Sequence, residues 1–89
     1  MVSQTVTIRN KAGLHARPAG MLTKLAQSFQ SDITMKVKDK NVNVKSILGV
    51  LSAGVQCGTD VVFECNGPDE KKALDNIVSA IKSGLGESA

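Results

Sequence analysis

The chain has 89 residues, of which 42% are apolar and 21% charged, and its formal net charge is +3. That length holds one domain, residues 1–89, with a modest core, and the balance excludes disorder. No apolar run reaches the roughly 20 residues that span a bilayer, and the start lacks a secretory signal, so the expected setting is the cytoplasm, away from membranes.

Residues Val2 to Ile8 alternate: Val2, Val6 and Ile8 share a face with Gln4, and Ser3, Thr5 and Thr7 share the other. This pattern predicts a half-buried strand with one polar interruption. Lys11, Ala12 and Gly13 make a loop. From Ala16 the period changes, and Leu22, Leu25, Ala26 and Phe29 fall on one helix face. Pro18 lies in the first turn, where its missing N–H costs little. Gln30, Ser31 and Asp32 end this helix.

Alternation returns with Ile33, Met35 and Val37 inward and Thr34, Lys36 and Lys38 outward. Lys38 to Asn41 form a tight turn, and Val42 and Val44 continue the pattern against Asn41, Asn43 and Lys45, giving a hairpin. Ser46 is suited to N-cap a short helix carrying Ile47, Leu48, Val50 and Leu51, with Gly54 as the stop. Val61, Phe63 and Cys65 then alternate with Val62 and Glu64 as a last strand. A turn over "NGPDE" leads into a helix with Leu74, Ile77, Val78 and Ile81 at helical spacing, closed by Lys82 and Gly84. The "LGESA" ending is expected to fray.

The order is therefore β-α-β-β-α-β-α. Strands with one apolar face and helices with matching stripes fit an α+β open-faced sandwich, a four-stranded antiparallel sheet covered on one face by helices.

Although the isoelectric point is near 9.1, the cations are scattered. With two phenylalanines and neither tyrosine nor tryptophan, few platforms exist for stacking bases, so a direct nucleic-acid partner is not expected. Cys57 and Cys65 stand eight positions apart, outside any CxxC pair, and read as free buried thiols. With one histidine they fall a ligand short of a closed zinc site, so neither metal nor cofactor is expected.

That histidine, His15, stands where the loop of "KAGLHARPAG" gives way to a helix. Helix starts carry unpaired N–H groups and a partial positive charge, which suit an anion. Arg17 adds a guanidinium able to meet phosphate oxygens, and Ala16 is small enough to leave access. A neutral imidazole is nucleophilic near neutral pH, with an unperturbed pKa of about 6.5. The same residues also fit a solvated capping histidine followed by a surface arginine. No carboxylate, serine or cysteine pairs with His15 in sequence, so hydrolase chemistry has no support.

"GLHARPA" (Gly13 to Ala19) together with "VKSILGV" (Val44 to Val50) resembles the HPr family, histidine-containing phosphocarriers of the bacterial phosphoenolpyruvate-dependent sugar phosphotransferase system. The resemblance extends over nearly the whole chain in length, element order and motif spacing. It implies that His15 takes a phosphoryl group on Nδ1 from phosphorylated enzyme I and passes it to the IIA domain of a sugar permease. Arg17 matches the arginine that steadies the phosphoryl charge, and Ala16 and Pro18 belong to the same turn.

Ser46 matches the serine that an ATP-dependent HPr kinase/phosphorylase modifies in the family's Gram-positive type. The resemblance further implies that the segment of Ile47, Leu48 and Leu51 meets enzyme I, IIA domains and a catabolite-control repressor, ordinary core packing being the alternative for each of the three; Lys24 and Lys45 are cations able to ring that patch for acidic partners. Such a carrier is expected to be a monomer. Ala12 stands where several relatives have serine, and Leu48 and Leu51 where methionine is frequent. Gly20, inside the first helix, should cost up to about 1 kcal/mol against alanine. Family paralogues without the histidine serve regulation only, so a purely regulatory module acting through phosphorylated Ser46 is the alternative.

Overall fold

The computed structural model describes residues 1–85. Its elements are β1 (Val2–Thr7), α1 (Ala16–Gln27), β2 (Asp32–Val37), β3 (Lys40–Asn43), α2 (Ile47–Ser52), β4 (Asp60–Asn66) and α3 (Glu70–Lys82). The strands form one antiparallel sheet in the order β1-β4-β2-β3, and the helices lie on one of its faces. The expected open-faced sandwich is the observed architecture.

The register explains the core. Phe63 on β4 sits opposite Met35 on β2, which sits opposite Val42 on β3. All three are buried, and Val61, Cys65, Ile33 and Val37 extend the same face. From the helices come Leu22 and Ala26 of α1, Val50 of α2, and Leu74, Ile77 and Ile81 of α3. The period-two and period-3.6 patterns thus meet in one apolar layer. Gln4 pairs with Phe63 at the sheet's edge and is exposed, so the polar interruption falls at the rim.

Several boundaries depart from the expected ones. α1 stops at Gln27 because Ser28 and Phe29 turn their N–H groups to the carbonyls of Leu25 and Ala26, the tighter i−3 pattern. The Ser28 hydroxyl also donates to the Leu25 carbonyl at 2.6 Å. Gln30 and Ser31 then give their N–H groups to the Asp69 carboxylate at 3.0 and 2.9 Å, and Asp32 already belongs to β2.

The β2–β3 turn is only Lys38 and Asp39, with Lys38 at φ 56°, so Lys40 and Asn41 pair in the ladder. Val44 lies past β3, yet its N–H still reaches the Ile33 carbonyl at 3.0 Å and its side chain is buried. Cys57 is exposed, since it sits in the loop before β4, while Cys65 is buried as expected. Leu85 is not frayed: it is buried, and its N–H returns to the Ala80 carbonyl at 2.9 Å. The rest of the expected frayed end, residues 86–89, lies outside the described residues.

Candidate functional site

His15 is exposed because the residues before it are tied down. Gly13 lies at φ 71°, a left-handed conformation that a side chain disfavours. Space forbids one too, since a Cβ there would stand 2.2 Å from the Val55 carbonyl oxygen. The next residue, Leu14, is buried and donates its N–H to that same oxygen at 3.0 Å. The chain therefore reaches His15 already anchored, and His15 emerges at the surface.

His15 is the N-cap of α1, with φ −86° and ψ −170°, and its side chain makes no capping bond. Its carbonyl accepts the Ala19 N–H at 2.9 Å, the first bond of the helix. Ala16 and Arg17 hold the N–H groups that precede this bond, and Pro18 has none to offer. Ala16 and Arg17 are exposed; Pro18 is buried and packs the turn inward. The first turn of α1 holds no acid, and the first acidic residue of the chain is Asp32. An anion at this helix start meets donors and cations with no carboxylate from the same turn.

Ser46 caps α2 as the sequence predicts. Its Oγ accepts the Gly49 N–H at 3.2 Å, and its own N–H donates to the Asn43 carbonyl at 3.0 Å. Of the apolar residues behind it, Val50 is buried, while Ile47 is 41%, Leu48 76% and Leu51 36% exposed. The two motifs meet where α1 packs on α2: a Cβ on Gly20 would stand 3.7 Å from Ile47 Cδ1. A glycine in the helix interior therefore marks the contact that joins the His15 and Ser46 segments.

The remaining expected site residues divide. Lys24 is exposed in the last turn of α1. Lys45 is half-buried, and its Nζ donates to the Phe29 carbonyl at 2.8 Å while Gln27 Nε2 donates to the Lys45 carbonyl at 3.1 Å. Lys45 thus fastens the end of α1 to the Ser46 segment. Met21, 50% exposed, is a further exposed apolar side chain on α1 and was not among the expected residues. A signal was available: Arg17, Met21 and Lys24 fall at i, i+4 and i+7, so Met21 is an apolar residue on the polar face.

Three ionisable groups near the start of α3 depart from their ordinary values. The Ser31 hydroxyl and the Gln30 and Ser31 N–H groups hold the Asp69 carboxyl below the ordinary aspartate value. The N-terminal ammonium, 2.9 Å from Glu70, and the Gly67 N–H do the same for Glu70. Burial pushes the Cys65 thiol up, and the charges of Asp69 and Glu70 add to it. These groups support the fold around the start of α3, a different helix end from the one at His15. Among the described residues, no helix is long and apolar enough to cross a membrane.

Comparison with known proteins agrees with this fold. Residues 2–83 match the family described as the PTS HPr component phosphorylation site. The phosphocarrier protein HPr of Cupriavidus necator is 40% identical over 98% of both chains. The crystal structure of an HPr from Thermoanaerobacter tengcongensis superposes with a TM-score of 0.96 at 42% identity, covering 100% of each chain. Crh of Bacillus subtilis, a catabolite-repression protein crystallised as a domain-swapped dimer, gives a TM-score of 0.76 at 39% identity, over 94% of this chain and 97% of that one. The fold is that of the phosphocarriers of the sugar phosphotransferase system. The chain belongs to the HPr family.

Proposed function

We propose that this phosphocarrier accepts a phosphoryl group on His15 from phosphorylated enzyme I and passes it to the IIA domain of a sugar permease in the cytoplasm. The observation that carries the reading is His15 itself: an exposed N-cap, extended in backbone, whose ring makes no capping bond. In the step, a ring nitrogen lone pair, at Nδ1 as in the family, attacks the phosphorus of the donor phosphohistidine. The new N–P bond forms as the donor's breaks, and the donor imidazole leaves with the bonding pair. The Ala16 and Arg17 N–H groups and the Arg17 guanidinium answer the charge of the bound group. Contacts this exposed are weak in water, so the group stays transferable.

Ser46 is the second phosphoryl acceptor in this reading: its Oγ, losing its proton, takes the γ-phosphoryl of ATP on an HPr kinase/phosphorylase as the β–γ anhydride bond breaks and ADP leaves. The product adds about two negative charges at the start of α2, favourable to the helix. The same charges stand beside Ile47, Leu48 and Leu51, where they oppose an acidic partner and favour one with cations, such as the catabolite-control repressor. Met21 and Lys24 complete the docking face, and the carrier works as a monomer.

The test is a transfer assay with enzyme I and labelled phosphoenolpyruvate on the wild type and His15→Ala. Acid-labile, base-stable label absent from the variant supports the assignment; equal label on both removes it. The likeness to Crh favours a second reading, regulation through phosphorylated Ser46 alone. Under that reading His15→Ala leaves sugar phosphorylation intact.

A further inference from the structure

Asn10 is 6% exposed, a buried amide between the phosphorylatable loop and the far end of the chain. Burying an amide is unfavourable unless hydrogen bonds replace its water, so its partners carry information. Its Nδ2 donates to the Gly84 carbonyl at 2.9 Å, 74 positions away. The backbone carbonyl of the same residue accepts the Gly13 N–H, also at 2.9 Å. One residue is thus bonded to the end of α3 and to the turn that delivers His15.

Both anchors are firm. Past α3, Gly84 lies at φ 88° and its N–H donates to the Ile81 carbonyl at 3.0 Å, while the Leu85 N–H reaches back to Ala80. This is the glycine-ended helix stop that satisfies terminal carbonyls, and buried Leu85 pins it to the core. On the other side Gly13 is confined by its left-handed backbone and by the Val55 carbonyl. A fixed helix end is therefore tied to a fixed turn through Asn10, whose side chain bonds the Gly84 carbonyl and whose backbone carbonyl bonds Gly13.

We infer that Asn10 is a positioning residue for His15: its amide braces the Lys11–Gly13 turn against the C-terminal end of α3 and so sets the frame from which the imidazole projects. The inference rests on the reading of His15 as phosphoryl acceptor. Group transfer depends on alignment at about the 1 Å scale, so loosening this frame slows the step without touching the reacting atoms.

The test compares Asn10→Ala and Asn10→Asp, the latter similar in shape but without the donor. Ile77→Val serves as a mildly destabilised control in the middle of α3. Two quantities are read on folded protein: the rate of phosphoryl acceptance from phosphorylated enzyme I, and the NMR resonances of the His15 ring. The expected result is transfer about tenfold slower in both Asn10 variants, with shifted ring resonances, and neither change in Ile77→Val. Wild-type rates and ring resonances in the Asn10 variants, whatever their stability, overturn the assignment. Should Asn10→Ala not fold, Asn10→Ser, too short to reach Gly84, takes its place. Were the wild type to accept no phosphoryl group, the carrier reading would fail, and the ring resonances would still decide the role of Asn10.

Discussion

α1 and α2 both begin at a residue with extended backbone, yet only α2 bonds its cap side chain back into the helix. Ser46 closes its own helix start by accepting the Gly49 N–H. His15 makes no such bond, and the order at its helix start comes instead from behind, through Gly13, Leu14 and Val55. The difference separates two ways of spending a helix N-terminus. At Ser46 the donors serve stability first, and a phosphate would exchange one acceptor for a stronger one. At His15 the preceding loop supplies the order, and under the proposed function the start of the helix serves the phosphoryl group.

Substitutions sharpen this contrast, and the largest expected effect is functional. His15→Ala should reduce phosphoryl acceptance from enzyme I to background, while Ser46→Ala keeps it, as measured by acid-labile label. Next comes the support behind His15. Gly13→Ala should destabilise the fold by at least about 2 kcal/mol, since it meets both a left-handed backbone and the Val55 carbonyl. Urea unfolding of the variant checks this, and an unchanged midpoint would show that the loop can give way.

Ser46→Ala should cost about 1 kcal/mol, the usual worth of an N-cap hydroxyl, whereas removing the His15 side chain takes away no capping bond. Similar losses in the two variants would break the comparison. Gly20→Ala should raise stability by somewhat less than about 1 kcal/mol, because alanine is the better helix former and its Cβ fits at 3.7 Å from Ile47.

The smallest effect concerns acid. Asp69 and Glu70 bind protons less readily when folded, so the stability they add is present above their ordinary values of 3.8 and 4.5 and is lost as pH falls through the lower folded values. Asp69→Asn should flatten the pH dependence of the melting temperature below 3.8, with no change near neutrality in the slope.

Much of this was legible from one dimension. The alternation around Phe63 and the helical spacing around Leu22 and Ile77 identified the elements because burial acts on the same periods as the sequence. Ser46 could be recognised as a cap from residue type alone. What escaped depends on partners distant in the chain. Gln30 and Ser31, expected to close α1, are held past its end by Asp69, 38 residues beyond Ser31. Lys45 read as a docking cation because nothing local shows that its ammonium goes to the Phe29 carbonyl. Leu85 read as part of a frayed end because the core that receives it comes from elsewhere in the chain. The role proposed for His15 was legible only with its neighbours Arg17 and Pro18 and with the second motif.

The unequal cysteines carry a practical consequence. Cys65 is buried, with its thiol pushed toward the protonated form, whereas Cys57 is exposed in the loop whose Val55 and Gln56 back onto Gly13. Thiol-directed dyes attack through the accessible thiolate. A maleimide fluorophore should therefore label the native protein once, at Cys57, and place its reporter behind the loop that leads to His15, without any engineered residue.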